Sequence, residues 1–170
     1  MRFFNGFSLQ GEAELFSEIL VNTETTVAGF SYGAQQALEY ALQSSHRIDR
    51  LILISPAFFQ STKASFRRAQ LRYFEGDQDA YIQTFLQNVT YPSDRDLSPY
   101  LQPGTKESLG ALLSYRWKTE DLHTLQQKGI QIEVFIGAED RIIDAEAAYA
   151  FFSKLTTTYL IKKAGHLLAS

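Results

Sequence analysis

The spacing of apolar positions along the chain changes several times, and each change marks an element. "RFFNGF" (2–7) is a short apolar run that predicts a buried strand. In "GEAELFSEIL" (11–20), Leu15, Phe16, Ile19 and Leu20 share one face at helical spacing, which predicts an amphipathic helix. "TTVAGF" (25–30) is rich in β-branched residues and predicts a second strand. From Ala34, the apolar residues Ala37, Leu38, Ala41 and Leu42 return with the period of a helix. "RLILISPAFF" (50–59) is continuously apolar, the pattern of a strand buried on both faces.

Residues 60–129 read differently. Three or four helical segments occur there, with Ile82, Phe85, Leu86 and Val89 on one face and Leu109, Leu112 and Leu113 on another. Proline-bearing turns in "TYPSDRDLSPYLQPG" (90–104) separate them, and Gly129 stands where a helix C-cap glycine belongs. The alternation then resumes. "IQIEVFIG" (130–137) predicts a strand, "DAEAAYAFFSKL" (144–155) a helix capped by Asp144, and "TTTYLIKKAG" (156–165) a last strand. The expected architecture is α/β: about five mostly parallel strands covered by helices. Its core comprises residues 1–59 and 130–170, and residues 60–129 form a helical lid or cap insertion with a return helix. Four connections must cover two faces of such a sheet, so one face is expected to be thinly covered, and a second copy of the chain could lie there.

Composition narrows the function. The 170 residues carry a net charge of -3, which argues against general nucleic-acid binding. With no cysteine there are no disulfides and no thiolate metal sites. His46, His123 and His166 are too scattered to suggest a metal cluster. No apolar stretch approaches the length of a membrane span, and the first residues lack a signal peptide's apolar run, so a cytoplasmic protein is expected.

The chemistry is concentrated in "TTVAGFSYGAQQAL" (25–38), a Gly-x-Ser-x-Gly pentapeptide between a strand and a helix. Such a pentapeptide is weak evidence alone. In this context it fits a nucleophile elbow, where a sharp turn leaves a serine hydroxyl exposed above the sheet. The plainer alternative is that Ser31 only caps the helix. A serine nucleophile needs a base, and the base an orienting acid. In parallel sheets these gather at the carboxyl ends of strands. Asp140 lies in the loop after "IEVFIG", with Glu139 and Asp144 as competitors and a solvated turn as its plain reading. His166 follows the last strand, whereas His46 sits at the amino side and His123 within a helix. The order Ser31, Asp140, His166 is that of the α/β-hydrolases. Oxyanion donors are expected from the backbone N–H groups of Tyr32 and of Phe7, in "NGF" after the first strand.

"STKASFRRAQLRYF" (61–74) carries Lys63, Arg67, Arg68 and Arg72 and no acid. On a helix the first two cations lie together, as do the last two, but the pairs are spread around the axis. The run is either a solvated helix face or a dock for an acidic partner or a phosphate-bearing arm.

"RFFNGF", "GFSYGA", "LILISPAF", "IEVFIGAEDRIID" and "GHLL" together resemble the short pimeloyl-acyl-carrier-protein methyl ester esterases of the BioV type. The likeness runs along essentially the whole chain. It implies a minimal α/β-hydrolase in biotin synthesis that needs no cofactor and no metal. It implies a triad falling on Ser31, His166 and Asp140, and an acidic carrier-protein partner that would give the run from Lys63 to Arg72 a purpose. Two other functions stay open: a thioesterase or acyltransferase on the same machinery, and a carrier-binding protein without catalysis.

Overall fold

The computed structural model describes residues 1–170. One parallel sheet runs β1 (Arg2–Phe4), β2 (Thr26–Phe30), β3 (Arg50–Ile54), β4 (Gln131–Gly137), β5 (Thr157–Ile161), with neighbours in chain order. Six α-helices accompany it: α1 (Tyr32–Gln43), α2 (Ala64–Gly76), α3 (Gln78–Thr90), α4 (Lys106–Ser114), α5 (Thr119–Gln127) and α6 (Ala145–Phe152). The five parallel strands and the helices between them match the architecture the sequence predicts. No helix is long and apolar enough to cross a membrane.

Successive side chains of a strand point to opposite faces, and the two faces are covered unequally. Val27, Leu51, Leu53, Ile132, Val134 and Ile136 meet α1, α5 and α6 in a cluster of 27 buried residues. Ala28, Phe30, Ile52 and Ile54 face the other way, into a cluster of only 9 that is closed by Phe16, Val89, Leu97 and Leu167. This second face is therefore thin. Towards β5 it ends on Phe135 stacked against Tyr159 at 4.8 Å, and Tyr159 is 44% exposed.

Four elements differ from expectation, each for a visible reason; the last strand, expected over 156–165, ends at Ile161, before a turn in which Lys163 adopts φ 60. The first strand ends at Phe4 rather than Phe7. The Gly6 N–H is taken by the Glu12 carboxylate, and the Asn5 side chain accepts from the Gly11 N–H, so this backbone turns away from the ladder. The predicted helix over 11–20 is a 3-10 segment, Glu12–Phe16, followed by a turn. Gly11 precedes it at φ 82 without a side-chain cap, and 3-10 turns serve as short connectors. Its apolar face is as predicted, since Leu15, Phe16, Ile19 and Leu20 all pack on the thin side of the sheet. The third strand stops at Ile54 because Ser55 adopts φ 41; residues 55–59 continue as a buried loop.

Residues 64–127 hold α2 to α5, joined to the rest of the chain by buried hydrogen bonds. Gln35 Nε2 donates to the carbonyls of Ala57 and Leu112 at 2.9 and 3.0 Å, and Trp117 Nε1–H donates to Ala57 at 2.9 Å. Loss of the Gln35 amide would leave the Leu112 carbonyl unpaired, at about 1–3 kcal/mol, whereas Ala57 would keep one of its two donors. The left-handed Gly129 (φ +80), which follows the C-cap Lys128 of α5, and the N-cap at Asp144, which accepts from the Ala147 N–H, lie where the sequence puts them.

Candidate active site

The turn between β2 and α1 carries Ser31 at φ 55, ψ -113, a backbone region that non-glycine residues rarely occupy. Holding it costs on the order of 1–3 kcal/mol, so the surroundings must enforce it. They do so by close packing around two glycines. A Cβ on Gly29 would lie 2.1 Å from the Gly33 carbonyl oxygen, and one on Gly33 would lie 2.0 Å from that of Phe4. The loop after β1 thus lies directly against the first turn of α1. Ser31 occupies the N-cap position of α1 yet makes no capping bond. Its hydroxyl turns instead to His166, with Nε2 at 2.8 Å.

The other ring nitrogen of His166 lies 2.6 Å from Asp140 Oδ2. An ionised carboxylate only accepts, so Nδ1 carries the proton and Nε2 presents its lone pair to the serine O–H. Asp140 is itself fixed, because the N–H groups of Ile142 and Ile143 donate to its Oδ1 at 2.7 and 3.1 Å. The imidazole and the carboxylate are both fully buried. Of the competing acids, Glu139 is exposed and Asp144 caps α6. His46 and His123 are exposed, and neither takes part in the Ser31–His166–Asp140 bonds.

The N–H groups of Phe7 and Tyr32, two residues that line one cleft, have no acceptor in the protein. Tyr32 opens a 12-residue helix with no acid in its first turn, so the positive end of the helix dipole is uncompensated there. The sequence gives no sign of a further residue, Ser55. Its buried hydroxyl donates to the His166 carbonyl at 2.6 Å, across 111 residues of chain. Ser55→Ala leaves that carbonyl unpaired and should cost about 1–3 kcal/mol, read as a lower midpoint in urea.

A cavity of about 680 Å³ lies between α2, α3, α4 and the loop that carries Asp140. Its walls include Phe85, Leu109, Leu112 and Ile142, with Arg72 also in the lining. Phe85 meets Phe7 edge-on at 5.4 Å, which connects the cavity wall to the loop after β1. Ser31 itself is only 3% exposed. Of the basic run, Lys63, Arg68 and Arg72 are exposed, Arg67 is half-buried, and none is ion-paired.

A family model described as alpha/beta hydrolase fold matches residues 9–108, a span that holds Ser31 and Tyr32 and ends before Asp140. No curated protein matches the chain. Among solved structures it is similar to the carboxylesterase CesB (YbfK) from Bacillus subtilis, with 23% identity and a TM-score of 0.56 over 92% of this chain and 57% of that one. It is similar to MenH from S. aureus, at 16% identity and a TM-score of 0.58 over 96% of this chain and 85% of that one. It is also similar to BioG from Haemophilus influenzae, at 10% identity and a TM-score of 0.59 over 97% of this chain and 87% of that one. The chain spans 57% of the length of the carboxylesterase, a larger protein on the same fold.

Proposed function

Because this chain belongs to the α/β-hydrolase family, we propose that it is a serine carboxylesterase and that its substrate is the methyl ester of a pimeloyl group on acyl carrier protein. The observation that carries the esterase reading is the unbroken line of hydrogen bonds from Ser31 through His166 to Asp140. In the proposed reaction His166 Nε2 removes the Ser31 proton as Oγ attacks the ester carbonyl. Asp140 holds the proton on Nδ1 and stabilises the imidazolium. The Phe7 and Tyr32 N–H groups receive the oxyanion. His166 then gives its proton to the departing methanol, and water releases the free acid by the same steps in reverse. A fluorophosphonate that labels the wild-type protein but not Ser31→Ala supports this reading. No labelling of the wild type would favour a carrier-binding protein without catalysis.

The acyl and carrier parts of the proposal rest on the sequence resemblance, with two supporting features. The cavity walls are mainly apolar, as a carbon chain requires, and Arg72 of the basic run stands in its lining. The unpaired cations of α2 suit an acidic partner, and such long-range attraction acts mainly on encounter rate and fades with salt. Reversing Lys63 and Arg68, which lie outside the cavity lining, to Glu should lower kcat/KM for the carrier-bound ester at least tenfold and leave a small aryl ester within about twofold. An equal loss on both would sink the docking idea. Faster turnover of the corresponding thioester would turn the reading towards a thioesterase.

A further inference from the structure

Glu12 is a fully buried carboxyl group that the proposed reaction does not use. It opens the 3-10 segment behind β1 and reaches back across six residues to accept the Gly6 N–H through Oε1 at 2.5 Å. Its other oxygen, Oε2, is buried without any partner. An ionisable group is expensive in such a place, and burial pushes its carboxyl above the ordinary range despite the N–H bonds that favour the charge. A residue whose only task was to fill space would be apolar.

The position of Gly6 supplies a reason. A Cβ there would lie 2.8 Å from the Phe30 ring, so the Gly6 backbone rests on the residue that precedes Ser31. The Phe30 ring in turn lies 5.1 Å from that of His166. The next peptide along the chain carries the Phe7 N–H, which has no acceptor in the protein. Gly6 has no side chain to anchor its own backbone, and β1 has already ended at Phe4. Three bonds brace this loop: from the Gly6 N–H to Glu12, from the Gly11 N–H to Asn5, and from the Leu9 N–H to the Gly6 carbonyl at 3.2 Å, and of these only the first fixes the amide side of Gly6.

We propose that Glu12 is a positioning residue, which acts through the Gly6 amide to hold the Gly6–Phe7 peptide in place as an oxyanion donor beside Ser31. The proposal rests on the esterase reading above. It concerns the acceptor oxygen and not a negative charge, since a carboxylate close to a developing oxyanion would oppose it. Glutamine keeps that acceptor; methionine fills similar space without one.

The test compares Glu12→Gln and Glu12→Met with the wild type on p-nitrophenyl butyrate, and measures inhibition by a trifluoromethyl ketone. The ketone adds to the serine and places an oxyanion where the transition state has one. Removing an oxyanion donor outright costs about 10²–10³ in kcat, so a misplaced one should cost about 10–100-fold. Glu12→Met should show that loss in kcat with KM within about threefold, and should weaken the ketone by the same factor. Glu12→Gln should stay within about threefold of wild type in both. A folded Glu12→Met protein with wild-type kcat would overturn the proposal. So would equal losses in both variants, or a Glu12→Met chain that cannot fold while Glu12→Gln does, which would make the bond purely structural. A wild-type protein inert towards the ester would overturn the esterase reading and this proposal together.

Discussion

On the proposed mechanism Ser31→Ala should lower ester hydrolysis by about 10⁴-fold or more, because Ser31 Oγ is the hydroxyl hydrogen-bonded to the His166 ring. On that mechanism the residual rate would come from the proposed oxyanion donors, the Phe7 and Tyr32 N–H groups, and from binding alone. Stability should change far less. Alanine keeps the Cβ, so the backbone at φ 55 is no more and no less strained than before. The packing of Gly29 on Gly33, and of Gly33 on the loop after β1, is untouched. What is lost is one hydrogen bond to His166 Nε2 in a site that is 3% exposed at Ser31. With Nε2 left unpaired that is worth about 1–3 kcal/mol, which for a chain of this length is a shift of several degrees in Tm and not a loss of the fold. Steady-state kinetics and a thermal melt on the same preparation check both halves. Retained turnover would remove Ser31 from the nucleophile's role, and a collapse in Tm would make the variant uninformative about chemistry. The second outcome is the one the unchanged backbone argues against.

Legible in the sequence are those parts of the candidate site that follow from local pattern. Ser31 stands between a β-branched run and a helical one, and Asp140 and His166 each follow an apolar strand. A parallel sheet brings the ends of its strands to one rim, so residues far apart in the chain become neighbours by topology alone. The structure adds the distances, and it also turns Ser31 from a helix cap into a partner of His166. What the sequence hides are polar residues whose partners lie far away. Ser55 reads as the end of an apolar run, Gln35 as an ordinary helix residue and Glu12 as the polar side of an amphipathic helix. Each is buried and bonded to backbone of a different element. Buried polar groups must find partners, but periodicity says nothing about which. The same limit explains the 3-10 segment: its apolar positions follow helical spacing, yet Gly11 and the bond from Gly6 to Glu12 set its backbone.

Gly165→Ala tests how the imidazole is placed, and it should be the most damaging change outside the triad. The glycine sits in the loop after β5, one residue before His166. A Cβ there would lie 1.7 Å from the Tyr91 carbonyl oxygen and 3.0 Å from Pro92 Cδ. Neither neighbour is the far end of a flexible side chain, so the loop itself must move. It is confined on its other side, where the Gly165 carbonyl oxygen would lie 2.1 Å from a Cβ on Gly137, in the last position of β4. Ser55 holds the His166 carbonyl as well. The displacement therefore passes to His166, whose Nε2 must stay within hydrogen-bond reach of Ser31 Oγ. A misplacement of about 1 Å costs on the order of 10²-fold in rate. Overpacking of this kind also costs about 1–3 kcal/mol or more, a fall of several degrees in Tm. Gly76→Ala is the matched control, since a Cβ at the end of α2 would meet nothing within 4 Å. Gly165→Ala should lose at least about 10²-fold in kcat and label slowly with a fluorophosphonate, while Gly76→Ala matches the wild type in both. Normal labelling of Gly165→Ala would mean that the loop after β5 does not set the geometry of His166.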